Sequence, residues 1–572
     1  MHSRDLSRMR YHISNVFLRK SEAEAELQED LVIYRKGCQM DSMERKLPIG
    51  VQSFPEIIQG NYLYVDKTEY IFRLVHTGKP YFLSRPRRFG KSLLLSTMRS
   101  YWEGRKELFR GLAIEKLEEK KGEPWQPHPV FYFDFNRDDY TRESALEDIL
   151  EAHLSDWENE YGIEREDTAG RSLAVRFQNL LKCASEKTGK KCVVLVDEYD
   201  KLLLDALGKE ELVEHNKAVF KGVFSSLKSY EAYIAFIFIT GVTKFSKISI
   251  FSDLNQLRDI SMNAEYANIC GITDQEMRET FLPEIRELAD EQGFSTEECL
   301  EKLRRTYDGY CFHQNAEGVY NPYSLLNAFA DREFDAYWFE TGTPTFLVKR
   351  LREMHFDVRK FTDRTLYANR RMLKDYQEDN PDPIPLLYQS GYLTIVGSDA
   401  RGGILILGFP NEEVRIGFLE SLMPAYVTGT GAGSGKDIYT LRSYLETADL
   451  EGMKNVFTAL FASIPYTTAD APFEHYFQTV IYIVFTLLGQ FAQCEMHTWT
   501  GRIDCVVETK NYIYIFEFKR DKGAEDALQQ IEKMRYAEPF AADARRLFKI
   551  GVNFDSESRM LTEWKAVEQK SE

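Results

Sequence analysis

Gly501-Arg-Ile-Asp504-Cys-Val-Val-Glu508-Thr-Lys-Asn-Tyr-Ile-Tyr-Ile-Phe-Glu517-Phe-Lys519 reads as two strands rich in β-branched and aromatic residues around a polar turn at Thr509-Lys510-Asn511. A turn of even length sets Asp504 directly opposite Glu517, with Cβ atoms about 5 Å apart. Side chains alternate along a strand, so Glu517 and Lys519 share a face while Tyr514, Phe516 and Phe518 turn the other way into packing. Two facing carboxylates repel. A divalent cation held by both, with Lys519 beside it, offsets that repulsion most directly. The competing reading is a solvated face on which acids and a lysine merely alternate.

The flanks add to this site. Upstream, Phe473-Glu474-His475-Tyr476-Phe477 opens an apolar helical stretch, so Glu474 is a candidate further carboxylate. Downstream, Asp526 to Tyr536 has helical spacing and carries Gln530. This order of parts resembles the PD-(D/E)XK nuclease superfamily, the match being Asp504 and Glu517-Phe518-Lys519. The resemblance implies that Asp504, Glu517 and the Phe518 backbone carbonyl hold Mg²⁺ or Mn²⁺, with Glu474 as an outer ligand, and that Lys519 orients or activates the attacking water. Ile503 stands where the family's name has proline, a substitution common in that superfamily.

A second signal lies near the N-terminus. Tyr81-Phe-Leu-Ser-Arg85-Pro-Arg-Arg88-Phe-Gly90-Lys91-Ser92 runs from a short apolar strand through a turn into an amphipathic helix, and looks like a phosphate loop. The free N–H groups of the helix start suit a phosphate. Arg85, Arg88 and Gly90 belong to that loop, Lys91 would reach the β and γ phosphates of ATP, and the Ser92 hydroxyl would bind Mg²⁺. Arg85 occupies the position of the motif's first glycine. The continuous apolar run Lys191 to Val196 ends in Asp197-Glu198-Tyr199-Asp200, as expected of a strand buried in a parallel sheet whose carboxyl end meets a ligand. Asp197 would hold Mg²⁺ through water and Glu198 would position the attacking water. A third run, Tyr233 to Thr240, again ends in polar groups, so Thr240 or Thr243 is a candidate γ-phosphate sensor.

Leu47-Pro-Ile-Gly-Val-Gln-Ser-Phe, Tyr64-Val-Asp66-Lys67-Thr68 and the Arg85-to-Ser92 loop together resemble a family of bacterial AAA-type ATPases whose usual companion is a C-terminal PD-(D/E)XK domain. Thr240-Gly-Val-Thr-Lys-Phe-Ser-Lys247, Tyr307-Asp-Gly-Tyr310 and Asn321-Pro-Tyr323-Ser324 extend the match. In that family an arginine at position 85 is ordinary. The expected fold is α/β: an N-terminal extension over 1–42, a P-loop ATPase domain over 43–270, a helical lid with a winged-helix-like region over 271–427, a glycine-rich linker over 428–436, and a restriction-endonuclease-like α/β domain over 437–572.

Composition bounds the rest. A chain of 572 residues, 43% of them hydrophobic, suffices for about three domains. Val480 to Leu488 falls short of the roughly 20 apolar residues a membrane helix needs, and the mixed-charge N-terminus has no signal-like core, so a cytoplasmic protein with no membrane partner is expected. Eight scattered cysteines without a C-x-x-C pair fit free thiols rather than zinc or disulfides. The net charge of −17 argues against a nonspecific nucleic-acid coat. From Ala471 onward, however, 13 Lys and Arg face 16 Asp and Glu, a net of −3, so the last domain is compatible with a DNA or RNA substrate. Arg258 is a candidate arginine finger; a finger from a neighbouring subunit would imply a homo-oligomer. Two functions compete: an ATP-hydrolysing, metal-dependent nuclease, and a regulatory ATPase whose last domain binds nucleic acid without cutting it.

Overall fold

The computed structural model describes residues 45–78, 80–123, 125–164, 170–245, 257–340, 366–374, 382–399, 403–426, 435–462, 492–497, 502–555 and 560–569, with a few single residues and short turns between them. The expected extension over 1–42, Glu474 and most of the glycine-rich linker lie outside these spans; the linker's last two residues, 435–436, already belong to a helix.

Five strands build the N-terminal sheet: β1 (Pro80–Ser84), β2 (Val130–Asp134), β3 (Cys192–Asp197), β4 (Ile234–Gly241) and the short β5 (Arg258–Asp259), all parallel in the order β2-β3-β4-β1-β5. β3 is buried along its whole length. That explains why its sequence is a run of β-branched and aliphatic residues rather than an alternation, since helices cover both faces of a parallel sheet. Residues just past its carboxyl end and past that of β4 border one cleft with the start of helix α1 (Lys91–Trp102), which follows β1. Among the described residues no helix is long and apolar enough to cross a membrane.

The middle region begins with α2 (Asp274–Gln292) and α3 (Thr296–Tyr307), each started by a reciprocal capping box, Thr273 with Glu276 and Ser295 with Glu298. Glu276 also pairs with Lys67, whose ammonium reaches it at 2.6 Å and the Asn268 carbonyl at 2.9 Å, while Asp66 caps Thr68. The Tyr64-to-Thr68 motif is therefore a brace between the ATPase core and α2. Next come α4 (Pro322–Asp331), α5 (Ile384–Ser390) and a three-stranded antiparallel sheet of β6 (Leu366–Ala368), β7 (Thr394–Ser398) and β8 (Leu405–Gly408), in the order β6-β8-β7. Helix α6 (Glu412–Tyr426) follows.

The C-terminal unit carries α7 (Gly435–Thr447) and α8 (Leu450–Ala462), then β9 (Ala492–His497), β10 (Arg502–Glu508), β11 (Tyr512–Arg520), α9 (Ala524–Lys533), β12 (Arg546–Phe554) and β13 (Leu561–Gln569). The strand order is β13-β12-β11-β10-β9, with β11 and β12 parallel and the other neighbours antiparallel. Phe516 packs on Phe457 of α8 at 6.2 Å between ring centres, whereas Ile513 and Ile515 cluster with Leu528 and Ile531 of α9. Both faces are covered, which is why β11 is apolar from Tyr512 through Phe516.

A buried acid in the middle region gives a pH signature. The Glu413 carboxylate, 3% exposed, accepts from the Ser324 hydroxyl at 3.0 and 2.8 Å and from the Trp338 amide at 2.7 Å, and burial pushes it up to about 7. The folded state then holds a proton that the unfolded chain has lost. The stability this group contributes is full below the ordinary glutamate value and is lost as pH rises through about 7. Denaturant titrations at pH 6 and pH 8 are expected to show wild type losing about 1 kcal/mol more over that interval than Glu413→Gln. An equal pH dependence in both proteins would remove Glu413 as the source.

Candidate active sites

The phosphate loop starts where β1 ends. Gly90 has φ +88°, a left-handed conformation that glycine adopts without a Cβ penalty, and it begins α1. Lys91 is buried, and its ammonium donates to the carbonyls of Arg85 and Pro86, each at 3.0 Å. Those neutral acceptors are what a phosphate would displace. Arg88, Ser92, Glu198 and Thr243 border the same cleft, about 570 Å³ in volume, together with Asn136 and Asp200.

Glu198 also has a left-handed backbone, φ +52°, uncommon for a residue with a side chain and a mark of a position held by its surroundings. Burial pushes its carboxyl upward, while the Lys91 ammonium pulls it down and Asp197 pushes it up again. Asp197 sits deeper: it is 2% exposed and accepts from the Thr240 hydroxyl at 2.6 Å and from Tyr132 at 3.2 Å. Of the two sensor candidates, Thr240 is therefore engaged in holding Asp197. Thr243 borders the cleft with a buried hydroxyl that has no hydrogen-bond partner among the described residues. Its backbone is fixed by Asp200, whose carboxylate accepts from the amides of Val242 at 3.0 Å and Thr243 at 2.6 Å. Burial raises Asp200 to about 7 against those hydrogen bonds.

Arg85 departs from its expected place. It is 1% exposed, its guanidinium donates to the carbonyls of Ser84, Ser261, Tyr266 and Ala267, and it lies 3.9 Å from the Phe312 ring centre. A charge so enclosed, with both Nη groups donating to carbonyls, braces the loop against residues far along the chain. Arg258, on the edge strand β5, is half exposed and pairs with Glu265 at 3.6 Å. Asn136 and Asp200 also line the cleft, though the sequence reading gave neither a role. Asp200 carried a signal, as the last acid of the run that closes β3.

At the C-terminal site the hairpin has the expected register: Cys505 pairs with Phe516, Val506 with Ile515, Val507 with Tyr514 and Glu508 with Ile513. The ladder stops there. One step on, the Asp504 carboxylate takes the Phe518 amide at 2.9 Å, so the acid sits between the strands across from Glu517. Glu517 is 1% exposed; burial and the Asp504 charge both push its carboxyl up. Its Oε1 accepts from Lys519 at 2.7 Å, and its Oε2 is buried with no hydrogen-bond partner among the described residues. Lys519 donates its second bond, at 2.7 Å, to Gln530 of α9. A buried carboxylate oxygen without a partner, facing a second acid, is a donor set that fits a divalent cation. The third carboxylate expected from Glu474 falls outside the described residues, and no group of three or more His, Cys, Asp or Glu suited to a metal occurs among those described.

A phosphate loop backed by a parallel sheet and an acid hairpin in a mixed sheet define a two-part protein, a P-loop ATPase-like domain followed by a restriction-endonuclease-like domain. Residues 48–251 match the family described as "Predicted AAA-ATPase", and residues 472–564 match the PD-(D/E)XK nuclease superfamily. The chain is 36% identical over 534 residues to the "Uncharacterized protein in vnfD 5′region" of Azotobacter chroococcum mcd 1, an alignment covering 90% of this chain and 97% of that one. The chain belongs to this family of predicted AAA-ATPases with a C-terminal PD-(D/E)XK domain.

Lys91→Ala is expected to weaken ATP binding about 100-fold or more, since charge-assisted hydrogen bonds contribute roughly 1.5–3 kcal/mol each. Calorimetric titration with Mg-ATP checks it; an unchanged affinity would refute the phosphate-loop assignment.

Proposed function

We propose that the protein binds and hydrolyses ATP and that its C-terminal domain cleaves phosphodiester bonds of DNA or RNA with Mg²⁺ or Mn²⁺, acting in the cytoplasm. The observation that carries the nuclease reading is the buried Glu517 Oε2 beside Asp504, without a hydrogen-bond partner among the described residues, with Lys519 held between Glu517 and Gln530. Asp504, Glu517 and the Phe518 carbonyl would hold the cation, with Glu474 as an outer ligand. When bound, the cation supplies a lowered water pKa and positive charge near the phosphoryl oxygens. Lys519, fixed at two points, orients the water; Gln530 gives the ammonium a second anchor beside its contact with Glu517. In the ATPase domain Lys91 and Ser92 bind the phosphates and Mg²⁺, Asp197 supports that Mg²⁺, Glu198 positions the hydrolytic water and Thr243 reads the γ phosphate.

The test is cleavage of a panel of single- and double-stranded DNA and RNA with Mg²⁺ or Mn²⁺, with and without ATP. Cleavage that needs the cation supports the reading and reveals the substrate. Absence of cleavage on every substrate would favour the regulatory ATPase, its last domain binding nucleic acid without cutting.

A further inference from the structure

The run Asn321-Pro322-Tyr323-Ser324 takes no part in the phosphate chemistry, yet its side chains are tied to the phosphate loop. Asn321 accepts from the amides of Tyr323 at 2.9 Å and Ser324 at 3.3 Å, and Pro322 fills the first turn of α4, where no N–H is required. Ser324 donates to Glu413, Glu413 takes the Trp338 amide, and the Trp338 indole donates to the Arg87 carbonyl at 3.0 Å. This chain of buried bonds fixes the start of α4 against the loop that precedes Gly90.

Tyr323 is what that arrangement presents. It is half-buried and borders the nucleotide cleft, and its hydroxyl makes no hydrogen bond among the described residues. The Arg88 guanidinium lies 5.1 Å from its ring centre, so the ring stands next to the phosphate loop. Pro48, Ile49, Val51 and Leu326 give the same cleft an apolar lining that a triphosphate has no use for. A flat, weakly polar group attached to a triphosphate does. We propose that Tyr323 stacks on the base of a bound purine nucleoside triphosphate, so that the middle region reads the base while the phosphate loop reads the phosphates. The proposal rests on the nucleotide-binding reading of that loop.

Calorimetric titration of wild type, Tyr323→Ala and Tyr323→Phe with Mg-ATP, Mg-CTP and inorganic tripolyphosphate tests it. Tyr323→Ala is expected to weaken ATP about tenfold or more, to leave tripolyphosphate within about twofold and to erase the preference for ATP over CTP, while Tyr323→Phe keeps all three as in wild type. ATP affinity unchanged in Tyr323→Ala, or ATP and tripolyphosphate weakened equally, overturns the base assignment. Wild type that binds tripolyphosphate as tightly as ATP overturns it too, while sparing the phosphate loop. Wild type that binds neither sinks the loop assignment and the base site together.

Discussion

Glu517→Ala is expected to reduce metal-dependent cleavage by about 100- to 1000-fold while ATP binding stays as in wild type. A cation is worth several kcal/mol of transition-state stabilisation, and each 1.36 kcal/mol is a factor of ten. Glu517 is the carboxylate whose loss cannot be made good locally. It is 1% exposed and its Oε2 has no hydrogen-bond partner among the described residues, whereas Asp504 already accepts from the Phe518 amide. The substitution also frees Lys519 from one of its two anchors, leaving Gln530. A fold control is built in. Mn²⁺ at 100 times its dissociation constant should stabilise wild type by about 2.7 kcal/mol, and the variant should show no such shift. A variant that cleaves at the wild-type rate would show that the hairpin acids are not the metal site.

Glu198→Gln is expected to bind ATP within a few-fold of wild type and to hydrolyse it about 100- to 10,000-fold more slowly, the usual span for removing a general base. The side chain borders the cleft from a left-handed backbone position, and burial with Asp197 behind it pushes its carboxyl toward the range in which a base works. Glutamine keeps the shape and loses the proton acceptor. The effect should therefore fall on kcat in single-turnover experiments and not on nucleotide affinity. Equal turnover would remove Glu198 from the mechanism and leave Asp197 as the acid that matters.

The acid hairpin was legible because its determinants are local. Alternation along β11 and the even Thr509-to-Tyr512 turn, closed by the Thr509 amide on the Tyr512 carbonyl at 2.8 Å, fix both face and register from neighbouring residues alone. The helix start at Gly90-Lys91 is local in the same way. Arg85 was not legible. Its closeness in sequence to Lys91 suggested phosphate, but its guanidinium is taken up by carbonyls of Ser261, Tyr266 and Ala267, brought beside it by the packing of β5 against β1. The choice between Thr240 and Thr243 likewise turned on which hydroxyl meets Asp197, and Tyr323 reaches the cleft, and Trp338 the Arg87 carbonyl beside it, from more than 230 positions along the chain.

The sequence by itself determined the two domains, the sheet strands that end in acids, and the hairpin register that sets Asp504 across from Glu517, because near-neighbour sterics and hydrogen bonding set strand alternation and helix starts. Only the tertiary structure decided which polar groups face a ligand and which hold the scaffold. That choice depends on how elements far apart in the chain bury one another's donors and acceptors, as with the Arg85 Nη groups donating to distant carbonyls and the Glu517 oxygen left without a partner among the described residues.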